Sequence, residues 1–409
     1  MIITEGSYPG YFSYSPPIDP YSVTTQLTDM AIFPEINHIN DILPFIADRP
    51  DFKVTDKGWY SVINYMVAYD DSFDCPVRAE CRGLIFDKSG KLISRPYHKF
   101  FNVGEKSYTS VDSLDLSMPH VVLDKLDGSM IRPIPCETGF RLGTKAGVTD
   151  VAMNAEVFIA DKPNYSYFIE TLLDTFTPIF EWVSRKNRIV VDYDKDDLIL
   201  TAIRVNSTGN YIGYDAIRRV AGIYNIPVVN TVENKSSDDI SKFVMTIRDW
   251  GDDVEGIIIR FDDGRMLKVK TSDYVLRHKC KESIRLEKNV LSVILNDSLD
   301  DLLPLLDSSP SDRDRIVEFA NDFNLAIFNF CDTVSNLFDE GYAKYPESRD
   351  FAVKYVKNVD PKYAPFLYKM MKSGNSNSCR DIVTEYLKKN INTKNKVNNV
   401  RWIFNDLSW

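Results

Sequence analysis

Leu123-Asp124-Lys125-Leu126-Asp127-Gly128-Ser129 is the stretch that decides how this chain is read. Its K-x-D-G core follows an apolar run, Val121, Val122 and Leu123, so a lysine is set at the end of a strand-like segment. Chance alone yields such a string in roughly one chain of this size in ten, so it needs support from elsewhere. That support comes in chain order. Phe180-Glu181-Trp182-Val183, then Val254-Glu255-Gly256-Ile257-Ile258, then Leu267-Lys268-Val269-Lys270 each place a carboxylate or lysine beside a strand-like run. Four charged islands in apolar surroundings predict one site.

The chemistry follows from what a lysine can do there. An unperturbed lysine, with pKa about 10.4, is neutral less than ~0.1% of the time at pH 7, a handicap of roughly 4 to 5 kcal/mol for nucleophilic attack. Neighbouring cations lower that pKa by like-charge repulsion, and a strand places Lys268 and Lys270 on one face, two residues apart. With Mg²⁺, the same cations would neutralise the α-phosphate of a nucleotide under attack. Attack on ATP would leave a lysyl-AMP phosphoramidate. Glu181 and Glu255, beside apolar runs, would be costly to bury unless paired or metal-bound.

The chain has 409 residues, 44% hydrophobic and 26% charged, the composition of a globular protein of two or three domains. No apolar stretch approaches the roughly 18 to 20 residues that cross a bilayer, and no basic-then-apolar leader opens the chain, so a cytoplasmic location is expected. Six cysteines show neither CxxC spacing nor scaffold density, which speaks against structural zinc and a disulfide framework. The net charge of −10 is uneven. From Gly341 to Trp409 there are 13 Lys and Arg against 6 Asp and Glu, or +7, which leaves −17 for residues 1–340. Tyr342, Tyr345, Tyr355, Tyr363, Tyr368 and Trp402 are interleaved with these cations, a pattern suited to phosphates and stacked bases. A solvated helical surface would read the same way.

Three blocks are expected. Residues 1–35, rich in Tyr, Pro, Ser and Thr, read as an extended arm. Residues 36–282 carry short β-branched runs at Gly83–Phe86, Val121–Leu123, Arg188–Val191, Leu198–Val205, Ile257–Phe261 and Met266–Val269, separated by turn signals. This is an α+β pattern with mostly antiparallel sheets. Residues 283–409 are read as all-helical: Ile316, Phe319, Phe323, Ile327, Phe330, Val334 and Phe338 recur at steps of three and four, between a Ser309-Pro310 start and a Gly341 stop. Further helices are expected at Lys362–Lys372, ended by Gly374, and at Asp381–Lys389.

Taken together, these residues resemble the covalent nucleotidyltransferases, and within them the phage RNA ligase 1 class that repairs broken tRNA. The resemblance runs from Tyr65 to Asp301. It includes Glu80-Cys81-Arg82-Gly83, Ser94-Arg95-Pro96, Lys99-Phe100-Phe101-Asn102, Lys125-Leu126-Asp127-Gly128, Thr144-Lys145-Ala146-Gly147, Phe180-Glu181-Trp182-Val183, Glu255-Gly256 and Lys268-Val269-Lys270. It implies a nucleotidyltransferase domain followed by the helical domain, with Lys125 taking the AMP and with Tyr65, Arg82 and Lys99 lining the ATP pocket. Tyr65 is placed by its spacing of seventeen residues before Arg82. Glu181 and Glu255 would contact the nucleotide or its metal, Lys268 and Lys270 the phosphates, Lys145 the same pocket, and Asp300 a metal ion. Arg82 has its own rationale, since a guanidinium holds phosphate bidentately.

The implied activity joins RNA 3′-OH and 5′-phosphate ends with ATP and Mg²⁺, or Mn²⁺ as substitute, on single-stranded ends or a nicked tRNA anticodon loop. A polynucleotide kinase/phosphatase would act upstream, and the ligase would be a monomer without membrane attachment, in the host cytoplasm if phage-encoded. The helical domain would carry RNA specificity. Two other readings compete. A DNA ligase or capping enzyme calls for an OB domain of short strands after the paired lysines, which the helical periodicity opposes. A non-catalytic RNA-binding relative could dispense with Lys125, Glu255 or Lys268, and all three are present. The four histidines, His38, His98, His120 and His278, read as structural.

Overall fold

Short β-branched and aromatic runs of this chain pair into three four-stranded sheets. A computed structural model describes residues 33–232, 239–251, 254–307, 309–373 and 379–409. The arm expected at 1–35 therefore lies outside the described residues as far as residue 32, as does the Gly374 stop. The chain divides into two compact units, Met1–Ser272 and Asp273–Trp409, where the sequence reading put the change at 282/283.

In the first unit, β1 (Phe52–Asp56), β2 (Tyr60–Tyr65), β3 (Arg82–Asp87) and β4 (Leu92–Ser94) form one antiparallel sheet in chain order. Next in the chain come β5 (Phe101–Asn102), β6 (His120–Asp124), β7 (Ser129–Cys136), β8 (Gly139–Gly143), β9 (Phe176–Val183), β10 (Asp197–Val205), β11 (Gly256–Phe261) and β12 (Met266–Lys270). These make two sheets of order β10-β9-β7-β8 and β5-β12-β11-β6, antiparallel apart from the β5–β12 pair. The second sheet packs on helices Asp150–Ile159, Pro163–Leu172 and Tyr214–Ile223, and the third on helix Ile240–Arg248. Ile179, Ala202 and Met130 of the second sheet meet Met266 and Ile258 of the third in one apolar cluster. The floor of the site is built there.

Arg188–Val191 is not a strand. Its backbone bends, because the Asp127 carboxylate accepts from the amides of Val190 and Val191, both at 2.7 Å, in place of a sheet partner.

A buried ion cluster ties the first two sheets together. Glu80, at the end of helix Pro76–Glu80, accepts from Arg95 at 3.1 Å and from two nitrogens of Arg204 at 2.8 and 2.6 Å. All three side chains are enclosed. Burial opposes ionisation of Glu80, but the two guanidiniums outweigh it and hold the carboxyl down at about 2. Glu80→Gln should cost about 3 to 5 kcal/mol, because two buried arginines lose their counter-charge. The depressed carboxyl contributes stability above its unfolded pKa, and this contribution disappears as pH falls from about 4.5 toward 2. Urea titrations at pH 7 and pH 3 check both: the gap between parent and Glu80→Gln should narrow at pH 3.

The second unit is helical, and its core gathers Val290, Leu291 and Leu306 with the apolar stripe of helix Pro310–Lys344. Every periodic residue from Ile316 to Phe338 is buried. Gly341 does not end the helix. It lies inside it, where a Cβ would meet Tyr355 at 2.4 Å and Phe351 at 2.8 Å, so the glycine serves close packing. The interleaved aromatics are also mostly structural. Tyr345, Tyr355, Tyr363 and Trp402 pack on the core, which leaves Tyr342 and Tyr368 exposed. Helices Ala364–Ser373 and Cys379–Asn390 occupy the two further expected positions.

Candidate nucleotide site

β6 ends at Asp124, and the chain turns into the lysine motif with the Lys125 amide donating to Gly256 O at 2.9 Å. Gly256 has φ +141°, and a Cβ there would lie 2.0 Å from Val269 O, so only glycine lets β11 begin this close to β12. Glu255, just before it, is buried and bridges two lysines: Lys125 Nζ at 2.7 Å and Lys270 Nζ at 2.9 Å. The charge that would be costly to bury alone is doubly paired.

Asp127 fixes the turn from below. Besides accepting from Val190 and Val191, its own amide donates to the Tyr193 hydroxyl at 2.8 Å. In the sequence Asp127 stands out only as part of the motif, because its anchoring partner lies more than sixty residues away. Asp127→Ala would strand two buried amides at about 1 to 3 kcal/mol each. A melting temperature lower by several degrees, together with lysine chemistry slowed at least tenfold, is expected. A variant that melts and reacts like the parent would show that the loop is held by something else.

A cavity of about 290 Å³ lies against this motif, and Tyr65, Arg82, Lys99, Lys125, Glu181, Lys268 and Lys270 line it. Glu255 sits behind Lys125 and Lys270, and Lys145 lies over the Tyr65 ring at 4.9 Å. Lys99 sits 5.1 to 5.7 Å from the centres of the Phe101, Phe73 and Tyr65 rings, so its head is held by aromatic faces. Burial alone would raise the Tyr65 hydroxyl, but Lys145, Arg82 and Lys99 bring it below the ordinary tyrosine value. Arg82 keeps one buried nitrogen, Nη1, without a hydrogen-bond partner. A concave, cation-rich pocket with an unsatisfied guanidinium nitrogen fits a polyphosphate anion.

Two groups in the pocket are strongly perturbed. Among the pocket lysines the marked effect falls on Lys268. Burial, with Lys125, Lys99, Arg82 and Lys270 around it, pushes the Lys268 ammonium down to about 7. Glu181 moves the other way, up to about 8, chiefly through burial and against the pull of Lys125. It is mostly protonated at neutral pH and able to donate a hydrogen bond.

Asp300 belongs to the second unit, in the short helix Leu299–Leu302 beside Asp301. Among the described residues, no three His, Cys, Asp or Glu side chains gather as a metal centre needs. The four histidines pack and bond locally: His38 caps Ile39–Asp41, His98 bonds to the Tyr211 hydroxyl, His120 to Met118 O, and His278 stacks on Tyr274. No helix among the described residues is long and apolar enough to cross a membrane.

Comparison with known proteins gives a consistent result. Residues 80–284, half of the chain, match the RNA ligase family. A putative RNA ligase of Thermovibrio ammonificans is 26% identical over 328 residues, 76% of this chain and 83% of the relative. RNA ligase 1 of bacteriophage TS2126 is 24% identical over 282 residues, 66% of this chain and 68% of the relative. Among solved structures, an RNA ligase mutant of Naegleria gruberi with AMP and Mn shares 14% identity at a TM-score of 0.34, over 40% of this chain and 52% of that one. The chain thus spans about half the length of that solved ligase.

Proposed function

The chain belongs to the RNA ligase family, and we propose that it seals RNA 3′-OH ends to 5′-phosphate ends with ATP through three displacements. In the first, Lys125 Nζ, stripped of a proton, attacks the α-phosphorus. A P–N bond forms and pyrophosphate leaves. In the second, a 5′-phosphate oxygen of RNA displaces the lysine, giving a 5′–5′ pyrophosphate linkage. In the third, the 3′-oxygen attacks the RNA 5′-phosphorus and AMP leaves.

The observation that carries this reading is the convergence of Lys125, Lys268, Lys270 and Arg82 on one cavity, with Glu255 bridging two of the lysines. Lys268, Lys270 and Arg82 are suited to hold the phosphates, and Tyr65, Lys99 and Lys145 to close one wall. Glu181 is suited to donate to the nucleotide. Both Glu255 oxygens face ammonium groups and Glu181 is mostly protonated, so a divalent ion fits best as one carried in on the ATP phosphates. Bound there, Mg²⁺ or Mn²⁺ would neutralise phosphate charge. Asp300 is retained as a further metal ligand in this proposal.

We further assign RNA choice, including nicked tRNA anticodon loops delivered by an end-healing kinase/phosphatase, to the helical unit. Cutting the chain near Ser308 would divide its core, since Leu306 and Leu291 pack with the Pro310–Lys344 stripe. Charge reversal is the cleaner test. Lys388, Lys394 and Lys396 are exposed, and changing all three to Glu should slow sealing of a nicked stem-loop at least tenfold while linear single-stranded RNA circularises normally. The parent's advantage on the stem-loop should shrink as salt rises. An unchanged ratio of the two rates would remove the helical unit as the specificity element. Failure of the parent to circularise linear RNA with ATP would overturn the ligase reading itself.

A further inference from the structure

One fully buried cation takes no part in the sealing steps. Residues alternate along β7, so Met130, Arg132 and Ile134 share one face. Met130 lines the nucleotide cavity, and Ile134 packs with Tyr60, Val62 and Ile85 of the first sheet. Arg132 lies between them and is 0% exposed. Its Nη2 donates to Gly83 O at 2.6 Å, whereas Nε and Nη1 have no hydrogen-bond partner. Among the described residues no carboxylate pairs with it. A buried guanidinium so poorly satisfied is costly, and an apolar side chain of similar length would fill the space more cheaply.

What the arginine reaches is the seat of Lys145. Thr144 and Gly147 exchange two backbone hydrogen bonds of 2.9 Å, so Lys145 and Ala146 form the tip of a tight turn. That turn rests on β3. Gly83 has φ +103°, and a Cβ there would lie 2.7 Å from Lys145 O, so the carbonyl packs on a bare Cα. Beyond the turn, the Tyr60 hydroxyl accepts from the Val148 amide at 2.9 Å. We propose that Arg132 is a positioning residue for ATP: by holding Gly83 O it fixes the seat of the 144–147 turn and keeps the Lys145 ammonium over the Tyr65 ring, at the wall of the cavity. The proposal rests on the reading of this cavity as the ATP site. Arg132 does not itself line the cavity, so its loss should weaken ATP binding and spare the chemistry of bound ATP.

The test measures single-turnover lysyl-AMP formation by the full-length protein across ATP concentrations. Arg132→Met should raise the half-saturating ATP concentration at least about tenfold, leave the saturated rate within about threefold of the parent, and melt within a few degrees of it. Arg132→Lys, whose ammonium can still donate to Gly83 O, should recover most of the loss. In a Lys145→Ala background Arg132→Met should add less than about a threefold further increase, because the group it positions is already gone. Parental half-saturation in Arg132→Met would overturn the assignment, as would Met and Lys variants that are equally impaired. So would effects of Arg132→Met and Lys145→Ala that simply multiply, or a Met variant that melts well below the parent, the signature of structural support. If the parent itself gave no lysyl-AMP from ATP, the nucleotide reading would fall and this inference with it.

Discussion

Replacing Lys125 by Ala is expected to abolish covalent labelling by α-labelled ATP while leaving the last chemical step intact. In the proposed first step this lysine forms the P–N bond, so the loss should exceed about a thousandfold, the scale of removing a covalent nucleophile. Lys125→Arg should fail as well, because a guanidinium does not surrender its proton at any working pH. RNA that already carries a 5′-adenylate bypasses the missing group, so both variants should still seal it. That second arm separates lost chemistry from lost structure. Lys125 is only partly buried, and Glu255 keeps Lys270 as a partner, so melting should shift by a few degrees at most. Parental labelling in Lys125→Ala, or label that survives acid, would place the nucleophile elsewhere.

Much of the site was legible because its residues are local in sequence or alternate on strands. The lysine motif, the glutamate just before β11 and the paired lysines of β12 each sit where a strand pattern and an apolar flank put them. What was not legible depends on long-range partners. Nothing within a few positions of Asp127 hints that it would capture two amides at 190 and 191, so Arg188–Val191 read as a strand when its amides were already taken. Glu80 and Arg95 were visible as motif residues, but their cluster closes only through Arg204. β7 was hidden for another reason. Pro133 and Pro135 interrupt it, which argues against an inner strand. The structure accommodates them because β9 pairs only with Ser129, Met130 and Ile131, so the prolines fall beyond that ladder. In the helical unit the periodic stripe was plain, yet periodicity cannot say which aromatic faces water, and Gly341 looks like a stop until Tyr355 is seen against it.

Lys268→Met should make the free protein more stable and the enzyme much slower. The Lys268 ammonium is pushed down to about 7, so at neutral pH the folded protein holds it in a state that the unfolded chain would relieve. At about 1.4 kcal/mol per pKa unit the strain is a few kcal/mol, which access to solvent reduces to about 1 to 3 kcal/mol. The sign is fixed by linkage. Below pH 7 both states carry the proton and the penalty is complete. Between about 7 and 10.5 the folded state releases it first and the parent gains stability; above that the penalty is gone. The advantage of Lys268→Met should therefore be largest at or below pH 7 and fade toward pH 10, which urea titrations across that range would measure. Function runs the other way. Phosphate beside Lys268 favours its charged form, so at pH 8 ATP binding by the parent should take up a proton, and calorimetry in buffers of different ionisation enthalpy reads that uptake. Glu181 titrates nearby at about 8, and the Met variant shows how much of the uptake is its own. Without the Lys268 charge, lysyl-AMP formation should fall by at least a hundredfold, the scale of a lost contact to charge developing in the transition state. A variant that melts below the parent at pH 7, or adenylylates at the parental rate, would mean that Lys268 is neither strained nor directed at phosphate.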